Sequence, residues 1–376
     1  MIPSVVNIDL GKLASGDLLS LQVYKFIGKK TGKKVYIQSN LHGAEIVGNA
    51  VIGQLIEFLS SLDENQITGE IWLVPACNPL GTNQRRHIFS TGRFNSYDGL
   101  NWNRIFWDYE KYCDDLDDFA RSQLNYSPEI IRKNYLAKIH KAWQQELEKI
   151  KQSSSVPYRH FYRYQLQSLC LDADYVIDIH SSSNQGMDFI FCFQTRESSA
   201  AYFLLEYGIL MSEYDGNAFD ESFLKPWLAL EKKLAELGKD IKFDLESWTL
   251  ELGSGMIMNP QSVNKGVKGI KNYLNYKQIL NSAELLTKEN IKLVNRDDVK
   301  SHYAPTGGMI QSRLDLGTKV KQGDRIYQLL SLNKQGKPPE IINIYTEMDG
   351  VIFDISTNQC VNQGEYILDI LITNNE

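Results

Sequence analysis

The sequence lacks the features that would place it in a membrane or in an oxidising compartment. Its five cysteines are odd in number, widely spaced and never arranged as Cys-x-x-Cys, so neither a disulfide framework nor a thiolate zinc site is indicated. The first residues have no basic flank and no long apolar core of the kind found in signal peptides, and no apolar run is long enough to cross a bilayer. We therefore expect a cytoplasmic protein with no membrane partner.

The sequence also lacks an excess of positive charge. Its net charge is −6 and its isoelectric point is near 5.7, so we expect no nucleic-acid partner. With 376 residues, of which 43% are hydrophobic and 23% charged, the chain has an ordinary globular composition. Its length is sufficient for a sizeable core and for more than one domain.

Four apolar, β-rich segments alternate with stretches of helical periodicity between residues 35 and 252. The segments read VYIQSN, EIWLVPAC, DYVIDIHS and SWTLELGSG. After the first segment, apolar residues recur on one helical stripe, namely Val47, Val51, Leu55, Phe58, Leu59 and Leu62. Strands that alternate with helices predict an α/β domain whose sheet is covered on both faces.

Residues from about 107 to 165 depart from this alternation and predict a helical insertion. A long amphipathic helix is indicated by apolar residues at Ile131, Tyr135 and Ile139, and a second helix is indicated near Tyr158. We interpret the insertion as an internal helical hairpin, with a coiled-coil partner site as the alternative.

The part of the chain after about residue 290 consists of short predicted strands separated by Gly, Asp and Asn turns. Two stretches echo one another, GGMI…LGTKVKQGDRIYQLL and DGVIF…NQCVNQGEYILDIL. A pseudo-repeat of this kind predicts a small all-β domain. The predicted organisation is therefore an α/β domain over residues 1–290 and an all-β C-terminal domain over residues 291–376.

Polar residues follow the predicted strands at the point where each strand ends. His42 and Glu45 follow the first strand, His180 ends the third, and Glu251 lies near the end of the fourth. Because ligands in open α/β sheets bind outside the carboxyl ends of the strands, we expect these side chains to meet at one edge. Two imidazoles and a carboxylate form a three-ligand zinc set with an open position, and Glu251 is a candidate general base.

Each of these residues also has a purely structural explanation. The spacing of His42 and Glu45 occurs often by chance, and His180 could be a buried histidine satisfied by hydrogen bonds. Asp178 would share the face of His180 and hold its ring, or it would cap a turn. Glu251 could pair with an arginine. Their combination, in order and at strand ends, favours an active site.

The loop over residues 83–106 supplies positive charge among aromatic and turn residues. It contains Arg85, Arg86, Arg93 and Arg104. A guanidinium group suits a carboxylate and can also stabilise an oxyanion. The loop therefore favours a hydrolase that acts on an acyl or peptide bond beside a carboxylate.

The ordered motifs NLHGAE, NPLG…GRF…DGLNWNRIF, DIHSSS and TLELG resemble those of the succinylglutamate desuccinylase/aspartoacylase family, a branch of the zinc carboxypeptidase-like hydrolases. The resemblance covers about residues 35 to 280. It implies an α/β fold with a zinc carboxypeptidase-like mixed sheet flanked by helices. The C-terminal region is similar to the lipoyl/biotinyl-carrier fold, but its segment YTEMDGVIF contains no lysine for the attachment of a swinging cofactor.

The resemblance also implies a metal site and a base. His42, Glu45 and His180 match the ligands of one Zn²⁺ ion per subunit. Glu251 matches the glutamate that activates water.

Substrate-binding residues follow from the same resemblance. Asn103 and Arg104 match the pair that binds a substrate carboxylate, and Arg93 matches the arginine that polarises the scissile carbonyl. Because the segment between Arg93 and Asn103 is longer than in the compact family pattern, Arg85 and Arg86 are alternatives to Arg93 as the arginine that polarises the carbonyl.

The expected function is a zinc-dependent amidohydrolase that deacylates a small N-acylated amino acid or a related amine bearing a carboxylate. A metallocarboxypeptidase acting on peptides is an alternative within the same class. A non-catalytic binding protein is the alternative outside it, disfavoured because every expected ligand and Glu251 are present. A homo-oligomer is compatible with the sequence, which does not define the acyl group or the amine.

Overall fold

A computed structural model describes residues 1–87, 90–281 and 287–372 of the chain. Residues 373–376 of the predicted C-terminal domain and residues 88–89 of the arginine-rich loop lie outside the described residues. In the described part of the chain, no helix is long and apolar enough to cross a membrane.

The secondary-structure elements are numbered here in chain order. The strands are β1 (Ser4–Lys12), β2 (Leu18–Ile27), β3 (Lys30–Ser39), β4 (Thr68–Val74), β5 (Tyr175–Ser182), β6 (Gln185–Gly186), β7 (Phe189–Phe193), β8 (Tyr207–Met211), β9 (Glu246–Ser254), β10 (Lys292–Asn295), β11 (Val299–Tyr303), β12 (Gly308–Arg313), β13 (Lys319–Val320), β14 (Arg325–Ser331), β15 (Glu340–Tyr345), β16 (Gly350–Ile355), β17 (Cys360–Val361) and β18 (Tyr366–Ile372). The α-helices are α1 (Val47–Ser61), α2 (Pro79–Asn83), α3 (Leu116–Ser122), α4 (Pro128–Ile150), α5 (Tyr158–Ser168), α6 (Glu197–Ala200), α7 (Phe219–Glu236) and α8 (Pro260–Tyr276). Short 3₁₀ helices occur at Glu64–Gln66, Trp102–Arg104, Tyr109–Tyr112, Ala201–Phe203 and Arg296–Asp298.

The largest sheet is mixed, with nine strands among the described residues in the order β1-β2-β4-β3-β5-β9-β7-β8-β10. The four strands at its centre, β4, β3, β5 and β9, are mutually parallel and correspond to the four predicted β-rich segments. One apolar core lies between the sheet and helices α4, α5 and α7, and another lies under α1 and α8. The predicted α/β architecture with helices on both faces of a sheet is confirmed.

The helical periodicities in the sequence correspond to helices whose apolar stripes are buried. Helix α1 begins at Val47, which leaves Glu45 in the turn before it, and its buried face includes Val51 and Leu55. The long helix of the insertion is α4, and α5 begins directly after Pro157, whose restricted φ suits a helix start. The N-terminal hairpin β1–β2 and the strands β7 and β8 were not among the predicted segments.

The C-terminal β strands form two further sheets around their own apolar core. One sheet has the order β11-β18-β16-β13 and the other has the order β15-β14-β12-β17. Strands from the two parts of the chain also pair with each other. Strand β10, which follows residue 290, pairs with β8 of the large sheet, and β6, which precedes it, pairs with β16 of a C-terminal sheet. The loop after β5 is therefore bound directly to the C-terminal β strands, and the division at residue 290 stays a prediction.

Candidate active site

The parallel centre of the large sheet brings the predicted site residues to one edge. The carboxyl ends of β3, β5 and β9 lie side by side, because the three strands are neighbours and parallel. His180 in β5 is paired in register with Glu251 in β9. His42 and Glu45 lie in the turn that follows β3, and the backbone N–H of Glu45 donates to the carbonyl of His42.

The core of the site is a buried His–Glu–His cluster. The Glu45 carboxylate lies between the two imidazoles, with Oε1 2.8 Å from His42 Nδ1 and Oε2 2.7 Å from His180 Nδ1. All three side chains are at most 3% exposed. Their ligand atoms lie within 4.8 Å of one another, so the cluster could hold a metal ion.

The outer nitrogen of each imidazole is held by a hydrogen-bond partner on the other side of the ring. Nε2 of His42 lies 2.9 Å from Asn101 Oδ1, and Nε2 of His180 lies 3.0 Å from Asp178 Oδ2. Partners of this kind fix the orientation of the ring and leave the inner nitrogen free to bind a metal. The sequence indicated this role for Asp178 as one of two interpretations, whereas it gave no indication for Asn101.

The electrostatics of the cluster favour a cation between its ligands. Burial would raise the pKa of Glu45, but the two imidazoles outweigh burial and hold that pKa well below its usual range. Burial would likewise lower the pKa of His180, but the Asp178 and Glu45 carboxylates raise it well above its usual range. Without a metal, the cluster therefore attracts a proton, and a divalent cation would occupy the same negative environment. The donor set of two imidazoles and one carboxylate fits such an ion.

Close contacts between three glycines shape the turn that carries His42. A Cβ atom on Gly43 would lie 1.9 Å from the carbonyl oxygen of Gly81 in α2, so only glycine fits there. Gly92 has a φ of +56° and accepts a hydrogen bond from the backbone N–H of Gly43. Asn78 joins the same contacts by donating to the carbonyl of Leu41 and accepting from the N–H of Gly81.

Arg93 directly follows Gly92, so these contacts place its side chain beside the cluster. Its Nη1 lies 3.3 Å from His42 Nδ1, 3.4 Å from Glu45 Oε1 and 3.1 Å from the hydroxyl oxygen of Ser183. The alternative candidates are placed differently. Arg85 is exposed and donates to backbone carbonyls in its own loop, and Arg86 is also exposed.

Glu251 and Arg93 line a cavity of 710 Å³ that opens beside the cluster. Burial raises the pKa of Glu251 to about 7. The nearby His180 lowers this pKa, whereas the Glu45 carboxylate raises it further. A carboxyl group with this pKa can accept and return a proton near neutral pH.

Asn103 and Arg104 do not line that cavity. The amide oxygen of Asn103 accepts a hydrogen bond from the backbone N–H of Phe219 at the start of α7. Arg104 is half exposed, lies 4.0 Å from Asp215, and lines a separate cavity of 210 Å³ together with Arg163. Of the predicted residues, the structure thus brings together the cluster, Arg93 and Glu251.

The fold and the site together define a mixed α/β protein with a candidate metal site at the carboxyl ends of its parallel strands. The model of the succinylglutamate desuccinylase/aspartoacylase catalytic domain matches residues 31–277. The chain therefore belongs to the succinylglutamate desuccinylase/aspartoacylase family, which consists of hydrolases that act on amides.

Solved structures agree with this assignment. A family protein from Shewanella amazonensis is 29% identical, with 98% of each chain covered and a TM-score of 0.87. A second protein of this kind, from Shewanella frigidimarina, is 26% identical, with 98% of this chain and 97% of that chain covered and a TM-score of 0.89. The ectoine utilization protein EutE (DoeB) from Ruegeria pomeroyi is 17% identical, with 99% of this chain and 96% of that chain covered and a TM-score of 0.67. This likeness shows a shared fold. No curated protein matches the sequence.

Proposed function

We propose that this protein is a zinc-dependent hydrolase that cleaves the amide bond of a small N-acyl amino acid or a related N-acylated amine. The observation that carries the proposal is the convergence of His42, Glu45 and His180 beside Arg93 and Glu251. Membership of a family of amide hydrolases supports the same reaction.

His42, Glu45 and His180 would hold the zinc ion through two Nδ1 atoms and the carboxylate. A zinc ion in such a site supplies a bound water of lowered pKa and polarises a carbonyl oxygen. Asn101 fixes the orientation of the His42 ring through its Nε2 atom, and Asp178 does the same for the His180 ring.

Glu251 is proposed as the base. Its carboxylate accepts a proton from the attacking water, whose oxygen forms a bond to the carbonyl carbon. The same carboxyl group then gives the proton to the amide nitrogen as the carbon–nitrogen bond breaks, which leaves a carboxylate and an amine. The pKa of about 7 suits both transfers.

Arg93 is proposed to stabilise the negative charge that develops on the carbonyl oxygen. Its guanidinium already lies at the edge of the cluster, and N–H donors aimed at a developing oxyanion are a large contribution to hydrolysis. The binding of a substrate carboxylate by Arg104, supported by Asn103, stays a prediction. Arg104 would have to act from the separate cavity of 210 Å³.

We infer that the C-terminal β strands form a lipoyl-carrier-like domain that serves as a lid, an oligomer contact or a structural cap rather than as a carrier, because the turn between β15 and β16 contains no lysine. The zinc carboxypeptidase-like connectivity, the cytoplasmic location and the homo-oligomer also stay predictions.

Metal analysis combined with a substrate screen tests the proposal. The purified protein should contain about one equivalent of zinc, as a three-ligand site implies. His42→Ala should lose the metal, whereas His140→Ala, in helix α4, should retain it. Glu251→Gln should retain the metal but lose turnover by on the order of 10² or more, which separates a base from a ligand.

The screen compares acetyl and succinyl amino acids with peptides under the same conditions. Hydrolysis of the N-acyl amino acids supports the proposed deacylase, and hydrolysis of peptides alone would instead support a metallocarboxypeptidase. Metal retained by His42→Ala, or full activity of Glu251→Gln, would contradict the assigned roles.

A further inference from the structure

The cavity beside the candidate active site is large for a small acylated amino acid. Its volume is 710 Å³, with Glu251 and Arg93 next to the cluster and the exposed residues Arg296 and Lys300 at its outer rim. Sites for drug-sized ligands occupy about 300–1,000 Å³. The cavity therefore has room for a substrate with a substantial additional group.

The register of the large sheet places an apolar wall directly beside Glu251. Glu251 in β9 is paired with Phe189 in β7, and two residues further along β7, Phe191 is paired with Ile209 in β8. Paired residues, and residues two apart on one strand, point to the same face of a sheet. Phe189, Phe191 and Ile209 thus lie on the face of Glu251, and all three line the cavity.

The aromatic rings of this wall pack on each other but remain partly exposed toward the cavity. The ring centroids of Phe189 and Phe191 lie 5.1 Å apart, and that of Phe353, from the C-terminal β strands, lies 4.9 Å from Phe189. Phe189 and Phe191 are only partly buried, whereas Phe353 is 3% exposed. The guanidinium of Arg296 lies 6.0 Å from the ring centroid of Phe191. The apolar surface thus continues from Glu251 to the rim.

Asp354 and three of its neighbours form a hydrogen-bonded group within the lining of the cavity. Asp354 of β16 accepts hydrogen bonds from the hydroxyl of Ser182, from the side-chain amide of Asn184 at 3.4 Å and from the hydroxyl of Tyr366 at 2.7 Å. These groups need no ligand to satisfy them, whereas Ser181 Oγ and Asp369 Oδ1, in two other residues of the lining, are buried without a hydrogen-bond partner among the described residues. The apolar wall is the surface on which a ligand would remove area from water, and such burial is favourable.

We propose that the substrate carries an aromatic or branched aliphatic arm on one side of the scissile amide, and that Phe189, Phe191 and Ile209 bind this arm. The inference rests on the proposed deacylase function and specifies its substrate class. The arm belongs either to the acyl group or to the amine, and both choices share the same recognition chemistry.

Two substrate series distinguish these choices. One varies the acyl group on a single amino acid, as acetyl, isovaleryl and phenylacetyl. The other keeps the acetyl group and varies the amino acid, as alanine, leucine and phenylalanine. In one series, kcat/KM should rise by about tenfold or more from the smallest to the largest arm, the range expected for occupancy of an apolar pocket.

Variants test the wall itself. Phe191→Ala should reduce this preference by on the order of tenfold, whereas Phe58→Ala, which removes a partly buried ring on α1 outside the cavity, should retain it. Phe191→Trp, which narrows the cavity, should disfavour the aromatic arm more than the leucine-sized arm. Phe191→Trp keeps the test valid if Phe191→Ala fails to fold, because the larger side chain alters selectivity without opening a void.

A binding measurement separates failure of the inference from failure of the proposed function. Calorimetry on the metal-loaded protein with hydrolysis products should find phenylacetate or phenylalanine bound more tightly than acetate or alanine, with the difference lost in Phe191→Ala. Hydrolysis with no preference for either arm, and binding unaffected by Phe191→Ala, would overturn the inference and leave the deacylase function intact. Absence of any amide hydrolysis, with binding that depends on Phe191, would contradict the proposed function but support the pocket.

Discussion

The hydrogen bond between Asp178 and His180 leads to a quantitative prediction about metal affinity. Nε2 of His180 lies 3.0 Å from Asp178 Oδ2, and the two side chains are 3% and 0% exposed. Hydrogen bonds to charged groups contribute about 1.5–3 kcal/mol. Replacement of such a partner typically lowers metal affinity by about 10–100-fold. We therefore expect Asp178→Asn, which keeps an acceptor oxygen but loses the charge, to weaken zinc binding within this range.

The assay is a competition titration of zinc against a chromophoric chelator of known affinity. The matched control is Asp172→Asn, because Asp172 belongs to the same part of the chain but is half exposed and pairs with Lys34. This control should leave zinc affinity unchanged. Thermal unfolding of both variants without metal shows whether each variant is folded. We expect cooperative unfolding of Asp178→Asn with a lower midpoint, because the Asp178 carboxylate stabilises the protonated imidazole of His180.

An unchanged zinc affinity in a folded Asp178→Asn variant would refute the reasoning, because it would mean that the Asp178–His180 contact does not tune the ligand. An equal loss in Asp172→Asn would refute it as well, since the effect would then follow net charge rather than the hydrogen bond.

Two further predictions concern the turn that carries His42 and Glu45 and a buried acid outside the site. Gly43→Ala should lose metal binding or unfold, because its Cβ would lie 1.9 Å from the Gly81 carbonyl oxygen. Gly53→Ala on α1 is the control and should be tolerated, because its Cβ would meet nothing within 4 Å. Zinc content and thermal unfolding of both variants check this, and a metal-loaded Gly43→Ala would contradict the packing argument. Burial and the charge of Asp220 raise the pKa of Glu221 to about 7, so its contribution to stability is present below its unfolded pKa of about 4.3 and is lost as pH rises through 7. The stability of Glu221→Gln in urea unfolding should therefore exceed that of the wild type by more at pH 8 than at pH 5, and an equal difference at both pH values would contradict this assignment.

The cluster could be predicted from the sequence because its residues follow strands that can be recognised. The segments before His42 and His180 contain the short apolar, β-rich runs VYI and YVI, as expected for strands buried on both faces. Parallel strands end at the same edge of a sheet, so residues distant in sequence could be expected to converge. Glu251 was predicted on the same grounds, and its register beside His180 agrees with that expectation.

Residues in loops were harder to assign. The sequence left Arg85, Arg86 and Arg93 as alternatives, because the path of the loop depends on contacts between Gly43, Gly81 and Gly92 that have no local signal. Asn101, which holds His42, stands two residues before Asn103 and was not among the predicted site residues. The three-dimensional contacts decided between neighbours that are chemically equivalent in the sequence.

The apolar wall of the cavity illustrates the same division. Phe189 and Phe191 alternate along a short strand that was not predicted, and nothing in their sequence indicates that they adjoin Glu251. The proximity arises because β7 crosses to the far side of β9, and the C-terminal strand β16 then closes the cavity with Phe353.

By itself, the sequence determined the α/β class, the strand ends, and the types and order of the candidate ligands, because hydrophobic periodicity and residue chemistry are local properties of the chain. Only the tertiary structure decided which arginine reaches the cluster, which partners hold the imidazoles and what lines the cavity. Those features depend on strand order and on close packing between segments far apart in the chain, and such contacts leave no periodic trace in the sequence.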